Sequence, residues 1–200
     1  MISLLLAACL FLPLRQEMNL ELLITQRPTV PVQAYRNGNF RQEVQDGDRG
    51  LLVSITARDI SMTPMNDRVE TAAAALERLD PPVRDLYQML KGKSPYLQDF
   101  LRNTGLYLRE SIAYSEEELP QDPVSVLANR RGHCVGYANL VQALLAGAGV
   151  RSRAVRGFYL RENGRELIPV AHRWLEIQLP GRPGLFFDPQ YQNFTSRYIV

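Results

Sequence analysis

Arg130-Arg131-Gly132-His133-Cys134, followed by the apolar run from Val135 to Ala146, is the stretch on which the reading of this chain turns. The run is helix-forming, and the residues before it deliver a thiol to its start. N–H groups in a first helical turn have no intrahelical partner and carry partial positive charge, which favours thiolate over thiol. Cys134 is therefore a candidate nucleophile. The competing reading is an inert, packed thiol, because unpaired cysteines are among the most buried residues. A nucleophilic cysteine needs a base to take its proton and a third group to orient that base, so the choice depends on what else the chain supplies.

The chain has two histidines. His133 adjoins Cys134 at a loop-to-helix junction, where neighbouring side chains point in different directions, and it is poorly placed as the base. That leaves His172. The segment His172-Arg173-Trp174-Leu175-Glu176-Ile177-Gln178-Leu179 reads as a β-strand stopped by Pro180-Gly181-Arg182-Pro183-Gly184. Leu185-Phe186-Phe187 is a second short strand, ending at Asp188-Pro189. In an antiparallel pair, a histidine at the start of one strand and an aspartate at the end of the next lie at the same end. Asp188 is then placed to hold the His172 ring while that ring faces the thiol. Taken singly, His172 reads as a strand histidine bonded to backbone and Asp188 as a turn-forming Asp-Pro; the order Cys, His, Asp favours a triad.

The elements between them support a buried nucleophile helix. Apolar positions surround the run after Cys134 instead of forming one stripe, which predicts a central helix, and Gly147 and Gly149 provide its stop. Ser152–Leu160 and Glu166–Val170 flank Glu162-Asn163-Gly164 and predict a hairpin, so the antiparallel sheet has three or four strands. Upstream, helices are predicted over Asp67–Leu79, Pro82–Lys91 and Pro95–Ser111. Glu116-Glu117-Glu118, with Pro120 and Pro123, reads as an exposed loop leading into Ser125–Asn129.

Four motifs now stand in order: Gly132-His133-Cys134-Val135-Gly136-Tyr137-Ala138, then Ala148–Phe158, then His172–Glu176, then Asp188-Pro189. Together they resemble the transglutaminase-like core domain, most strongly from Val124 to Pro189. The resemblance implies an α+β fold of papain-like, transglutaminase-like architecture, with a buried nucleophile-bearing helix packed on an antiparallel sheet and helices upstream. It also implies roles: Cys134 attacks a protein or peptide amide, His172 acts as base and then acid, and Asp188 orients it. A thioester follows, resolved by water or by a primary amine, so peptidase, amidase and transamidase activities all fit. The Cys134 N–H is the expected oxyanion donor. Trp174 either shields the Cys–His pair or packs in the sheet. A reading from another class makes the domain a non-catalytic binding or scaffold module of the cell envelope.

The expected organisation is a hydrophobic leader over residues 1–14, a β-prone extension over 15–62, the catalytic domain over 63–190 and a tail over 191–200. Within the extension, Val30–Tyr35, an Asn37-Gly38 turn, Phe40–Val44 and Leu51–Ala57 read as strands and a turn. Met1 to Leu14 is too short for a membrane helix but has the length of a signal-peptide core, without its basic start. Leu6-Ala7-Ala8-Cys9 resembles a lipoprotein box; the alternative is an apolar segment packed on the domain. Membrane contact is expected only through this leader, and the location outside the cytoplasm. A net charge of +2 gives no polyelectrolyte reason to expect nucleic acid. Arginines 151, 153, 156, 161 and 165 read as a solvated strand face. A disulfide between Cys9 and Cys134 would consume the nucleophile and is not expected. The histidines, thiol and Asp188 lack zinc-type spacing, and no phosphate loop is present, so neither metal nor cofactor is implied.

Overall fold

Burial alternates along the N-terminal strands, is unbroken over Trp174–Ile177 and Leu185–Phe187, and runs all round the central helix, and these patterns sort the molecule into three layers. The computed structural model describes residues 4–6 (backbone), 17–25, 28, 31–58, 65–71, 73–164, 166–192 and 194–200. The proposed lipidation and cleavage region around Cys9 lies outside the described residues. No described helix is long and apolar enough to cross a membrane.

The first layer is an antiparallel sheet of β1 (Leu4–Leu6), β2 (Glu17–Ile24), β3 (Tyr35–Arg36), β4 (Phe40–Gly47) and β5 (Gly50–Arg58), in the order β1-β2-β5-β4-β3. Alternation in the sequence anticipates β4 and β5 but not β2. Leu22 and Ile24 of β2, Phe40 of β4, and Val53, Ile55 and Ala57 of β5 are buried together. Of the strand expected over Val30–Tyr35, Val30 lies outside the described residues, and among the rest only Tyr35 is in a strand, Tyr35–Arg36.

The second layer is helical: α1 (Ala73–Glu77), α2 (Pro81–Gly92), α3 (Leu97–Ser111), α4 (Pro123–Asn129) and α5 (Cys134–Gly147). The helix expected over 67–79 shortens to α1, and the reason is tertiary. α3 begins without a side-chain cap, and its first N–H groups, on Leu97 and Gln98, donate instead to the carbonyls of Asp67 and Met65 at 2.8 and 3.4 Å. Val69 N–H donates to Pro95 O at 3.1 Å. Holding that segment extended satisfies donors that helix propensity alone would leave open. α4 starts on an Asp122 cap, whose carboxylate accepts from Ser125 N–H at 3.0 Å. Between helices, β6 (Ala113–Tyr114) pairs in parallel with β7 (Arg131–Gly132), bringing the chain to the start of α5.

The middle layer is the antiparallel sheet of β8 (Arg151–Asn163), β9 (Glu166–Gln178), β10 (Leu185–Phe187) and β11 (Tyr198–Ile199), in the order β10-β9-β8-β11. Two strands expected over Glu166–Val170 and His172–Leu179 are one. Pro169 does not interrupt it, because its partner Leu160 donates its N–H away from β9, to Arg197 O at 2.8 Å. The missing proline N–H therefore faces the other edge of β9, where no strand among the described residues is paired with Pro169.

Side-chain alternation in β9 and β10 sends Leu175, Ile177, Leu185 and Phe187 into a core shared with the helices. Trp174 and Phe186 enter a second core, shared with the N-terminal sheet and with Phe194, Tyr198 and Ile199. α5 is central, with Tyr137, Ala138, Leu140, Val141, Leu144 and Leu145 all buried, as its all-round apolar surface requires.

Candidate active site

Cys134 opens α5, and the residues before it set the geometry of that opening. His133 is the N-cap: its backbone is extended, and its Nδ1 accepts from Val135 N–H at 3.3 Å. That nitrogen is thereby an acceptor, and burial, assisted by the charge of Arg173, pushes the His133 imidazole below its ordinary range. His133 is thus a structural cap. Gln121 Oε1 accepts from His133 N–H at 3.1 Å, and Asn139 Nδ2 donates to Gln121 O at 2.9 Å. Gly136 makes room for this clasp, because a Cβ there would stand 2.4 Å from Gln121 Oε1. The Cys134 N–H itself makes no hydrogen bond to the described residues.

His172 and Asp188 arrive from β9 and from the residue after β10. The structure brings all three predicted side chains together. His172 Nε2 and Asp188 Oδ2 are 2.6 Å apart, with His172 8% exposed and Asp188 fully buried. His172 and the Arg173 N–H both lie close enough to the half-buried Cys134 sulfur to favour its thiolate. With Nε2 held by Asp188, Nδ1 is the nitrogen left to face the sulfur.

Burial works against charge on both partners, and their contacts outweigh it. Desolvation alone would lower His172, yet the Asp188 and Cys134 hydrogen bonds raise it to about 9. Burial alone would raise the Cys134 thiol, yet the His172 bond and charge bring it below its ordinary value. The two shifts converge on a thiolate–imidazolium pair.

Asp188 accepts four hydrogen bonds. Oδ1 takes the N–H groups of Gln190 at 2.7 Å and Tyr191 at 3.3 Å, while Oδ2 takes His172 and the Tyr198 hydroxyl. Tyr198 is fully buried and lies in β11, within the last ten residues set apart above as a tail. Burial, then the Asp188 charge, pushes its phenol far above the usual range, so it remains a donor. The sequence reading missed Tyr198, because β11 has two residues and no periodicity can show in two.

Of the two roles left open for Trp174, packing in the sheet is the one its contacts display. Its ring is fully buried against Phe186, Phe194 and Tyr198, and it lies nearly parallel to the His172 ring at 6.1 Å. Gly157, directly across from His172 on β8, permits this: a Cβ there would stand 2.6 Å from the indole and 2.1 Å from Ile199 O.

The N-terminal sheet reaches the same region through its β3–β4 turn. Asn39 is buried, and its side chain accepts from Phe186 N–H at 2.8 Å and donates to Phe186 O at 3.0 Å, as a neighbouring strand would. Gly38 N–H donates to Gly184 O at 2.7 Å. The exposed edge of β10, which leads to Asp188, is closed by a turn from another layer. Nearby, the buried Glu176 carboxylate accepts from Tyr35 Oη at 2.9 Å and from Arg153 Nε at 2.7 Å. Burial, and then Glu176, push the Tyr35 phenol up to about 12. Arg153 stays exposed, as expected for its group, while its guanidinium pairs with the buried Glu176.

A separate cavity of about 630 Å³ lies at the far end of α5, lined by residues including Leu97, Gly149, Arg151, Gln178 and Pro180. The 14 residues of the helix separate it from Cys134, a distance of about 20 Å at the helical rise. Among the described residues no cluster of three or more His, Cys, Asp or Glu side chains is arranged to hold a metal ion.

Solved structures share this arrangement of helices and sheets. The periplasmic domain of TgpA from Pseudomonas aeruginosa matches with a TM-score of 0.54 at 18% identity, covering 88% of this chain and 70% of that one. Its ethylmercury-bound form matches at 0.53 and 19%, covering 96% and 76%. A candidate cysteine protease from Cytophaga hutchinsonii matches at 0.50 and 14%, covering 84% and 72%. No curated protein matches the chain. The sequence profile of the transglutaminase-like superfamily matches residues 84–189 of the 200. By that match, over more than half of its length, this chain belongs to the transglutaminase-like superfamily.

Proposed function

We propose that the protein is a thiol-dependent acyl-transfer enzyme acting on protein or peptide amides, with Cys134 as nucleophile, His172 as base and acid, and Asp188 as the orienting carboxylate. The observation that carries this reading is the buried His172–Asp188 contact of 2.6 Å, with the same imidazole beside a thiol at a helix start whose thiolate it favours. The Cys134 sulfur attacks the amide carbonyl carbon, and the oxyanion forms beside the unengaged Cys134 N–H. The C–N bond then breaks as the imidazolium passes its proton to the leaving amine, and a thioester remains. Water or a primary amine next gives a proton to His172 and attacks the thioester, and the C–S bond breaks to return the thiolate. Peptidase, amidase and transamidase outcomes share every step but this last acceptor.

A half-exposed sulfur beside a charged partner supports an enzyme over an inert scaffold. The likeness to a periplasmic domain supports a location outside the cytoplasm.

The test is alkylation of the free thiol by iodoacetamide at neutral pH. Wild type is expected to label at Cys134, located by peptide mapping so that Cys9 is counted separately, and Cys134→Ala to abolish labelling of that peptide. His172→Ala is expected to slow it about ten-fold or more, because an unassisted thiol is only a few per cent thiolate at pH 7. Equal rates in wild type and His172→Ala would remove His172 from the mechanism.

A further inference from the structure

We propose that the β8–β9 surface leading outward from His172 is a recognition ledge for the amide substrate, on which Arg161 reads a carboxylate; this rests on the acyl-transfer reading above. Residues two apart on a strand share a face, and directly paired residues on neighbouring strands share it too. The register pairs His172 with Gly157, then Val170 with Tyr159, then Ile168 with Arg161. One face thus runs from the imidazole, past an aromatic step, to a guanidinium.

The aromatic step is built and open. Tyr159 lies 6.1 Å from the His172 ring and stacks on Tyr191 at 4.5 Å, while Tyr191 itself lies 5.6 Å from His172. Large apolar or aromatic side chains that remain exposed number six among the described residues, and three of them, Tyr114, Val170 and Tyr191, gather here. Tyr114 stands on β6, near enough to Cys134 for the thiolate to raise its phenol, although burial is the larger cause. Arg161 acts in the opposite sense on both Tyr114 and Tyr191, so its charge reaches the mouth between them.

Arg161 is exposed and has no ion-pair or hydrogen-bond partner among the described residues. Its neighbours are otherwise engaged: Glu162 pairs with Arg197, and on the same strand Arg153 pairs with Glu176. Acidic charge near the mouth lies on the other wall, where Glu116 acts on Tyr114 and His133, and Glu117 is held by Arg131. A peptide carrying a carboxylate is therefore drawn to the hairpin wall and repelled from the β6 wall, which sets its direction across Cys134. Planar peptide groups and apolar side chains suit the tyrosine step between.

The probes are three thiol-reactive peptides: iodoacetyl-Gly-Phe-Asp-amide, its Asn-amide analogue, and the Asn peptide with a free C-terminus. Wild type is expected to react with at least one carboxylate-bearing probe about three-fold faster than with the neutral one, the worth of one partly exposed charge pair. A faster Asp-amide assigns the carboxylate to a side chain, and a faster free acid assigns it to a chain terminus. Arg161→Glu is expected to reverse the preference, whereas Arg102→Glu, on the remote α3 surface, keeps it. Each ratio is taken within one protein, so a loss of folded material cancels. Equal rates for all three probes in wild type, or a preference that survives Arg161→Glu, would overturn the ledge alone. Absence of Cys134 alkylation by iodoacetamide would overturn the acyl-transfer reading and the ledge with it.

Discussion

The two faces of the central sheet are covered by different chemistry. On the helix face, Leu175, Ile177, Leu185 and Phe187 meet α5 and its neighbours through apolar side chains. On the other face, the N-terminal sheet adds directed bonds to its aromatic packing: Asn39 to Phe186, Tyr35 to Glu176 and, from β11, Tyr198 to Asp188. Apolar packing is strong but nearly indifferent to direction, whereas a buried hydrogen bond fixes an angle and is costly to leave half made. The helix face accordingly holds the Cys134 helix in place, and the opposite face aims His172 and Asp188.

Three substitutions would break or sharpen that contrast. Leu144→Ala, at the fully buried helix face, is expected to cost about 2–5 kcal/mol of stability, measured by urea denaturation. The alkylation rate per folded molecule should stay as in wild type. A slowed rate at full folding would show that the apolar face aims the site as well.

Asn39→Ala leaves both backbone groups of Phe186 without their partner and is expected to cost about 1–3 kcal/mol. Here the folded fraction should also alkylate more slowly at neutral pH, because β10 positions Asp188 and Asp188 sustains the His172 charge. Loss of stability with an unchanged rate would reduce the turn to ordinary packing.

Tyr198→Phe is the mildest, at about 1 kcal/mol, and it reads out through pH. In the proposed mechanism His172 carries the proton that releases the amine; with its folded value at about 9, that step is expected to hold below this pH and fail above it. In Tyr198→Phe, Asp188 Oδ2 loses a competing donor while Gln190 and Tyr191 still hold Oδ1, so its grip on the imidazolium tightens. The alkaline limb of peptide turnover is expected to move upward. A downward move would mean that Tyr198, and not the backbone at 190 and 191, aims the carboxylate.

Much of the site is legible in the chain because its signals are local. A thiol before an apolar run, a histidine in a strand and an Asp-Pro after the next strand each announce themselves within a few residues, and the turn at 180–184 brings the last two together. Where the reading fell short, the determinants lie far apart. The segment at 65–69 is extended because α3 needs acceptors there, a demand no window around Asp67 contains. Pro169 sits inside a strand because Leu160 turns its N–H toward Arg197, which is visible only once β8 has partners on both edges.

The sequence by itself determined the helix that Cys134 opens, the strand carrying His172 and the order Cys134, His172, Asp188, because helical and strand periodicities and turn residues act over short range. Only the tertiary structure decided that Tyr198 and Asn39 complete the site from opposite ends of the chain. Their side chains act on groups 10 and 147 residues away: the first contact forms once β11 has joined β8 in the middle sheet, and the second only when the two sheets pack.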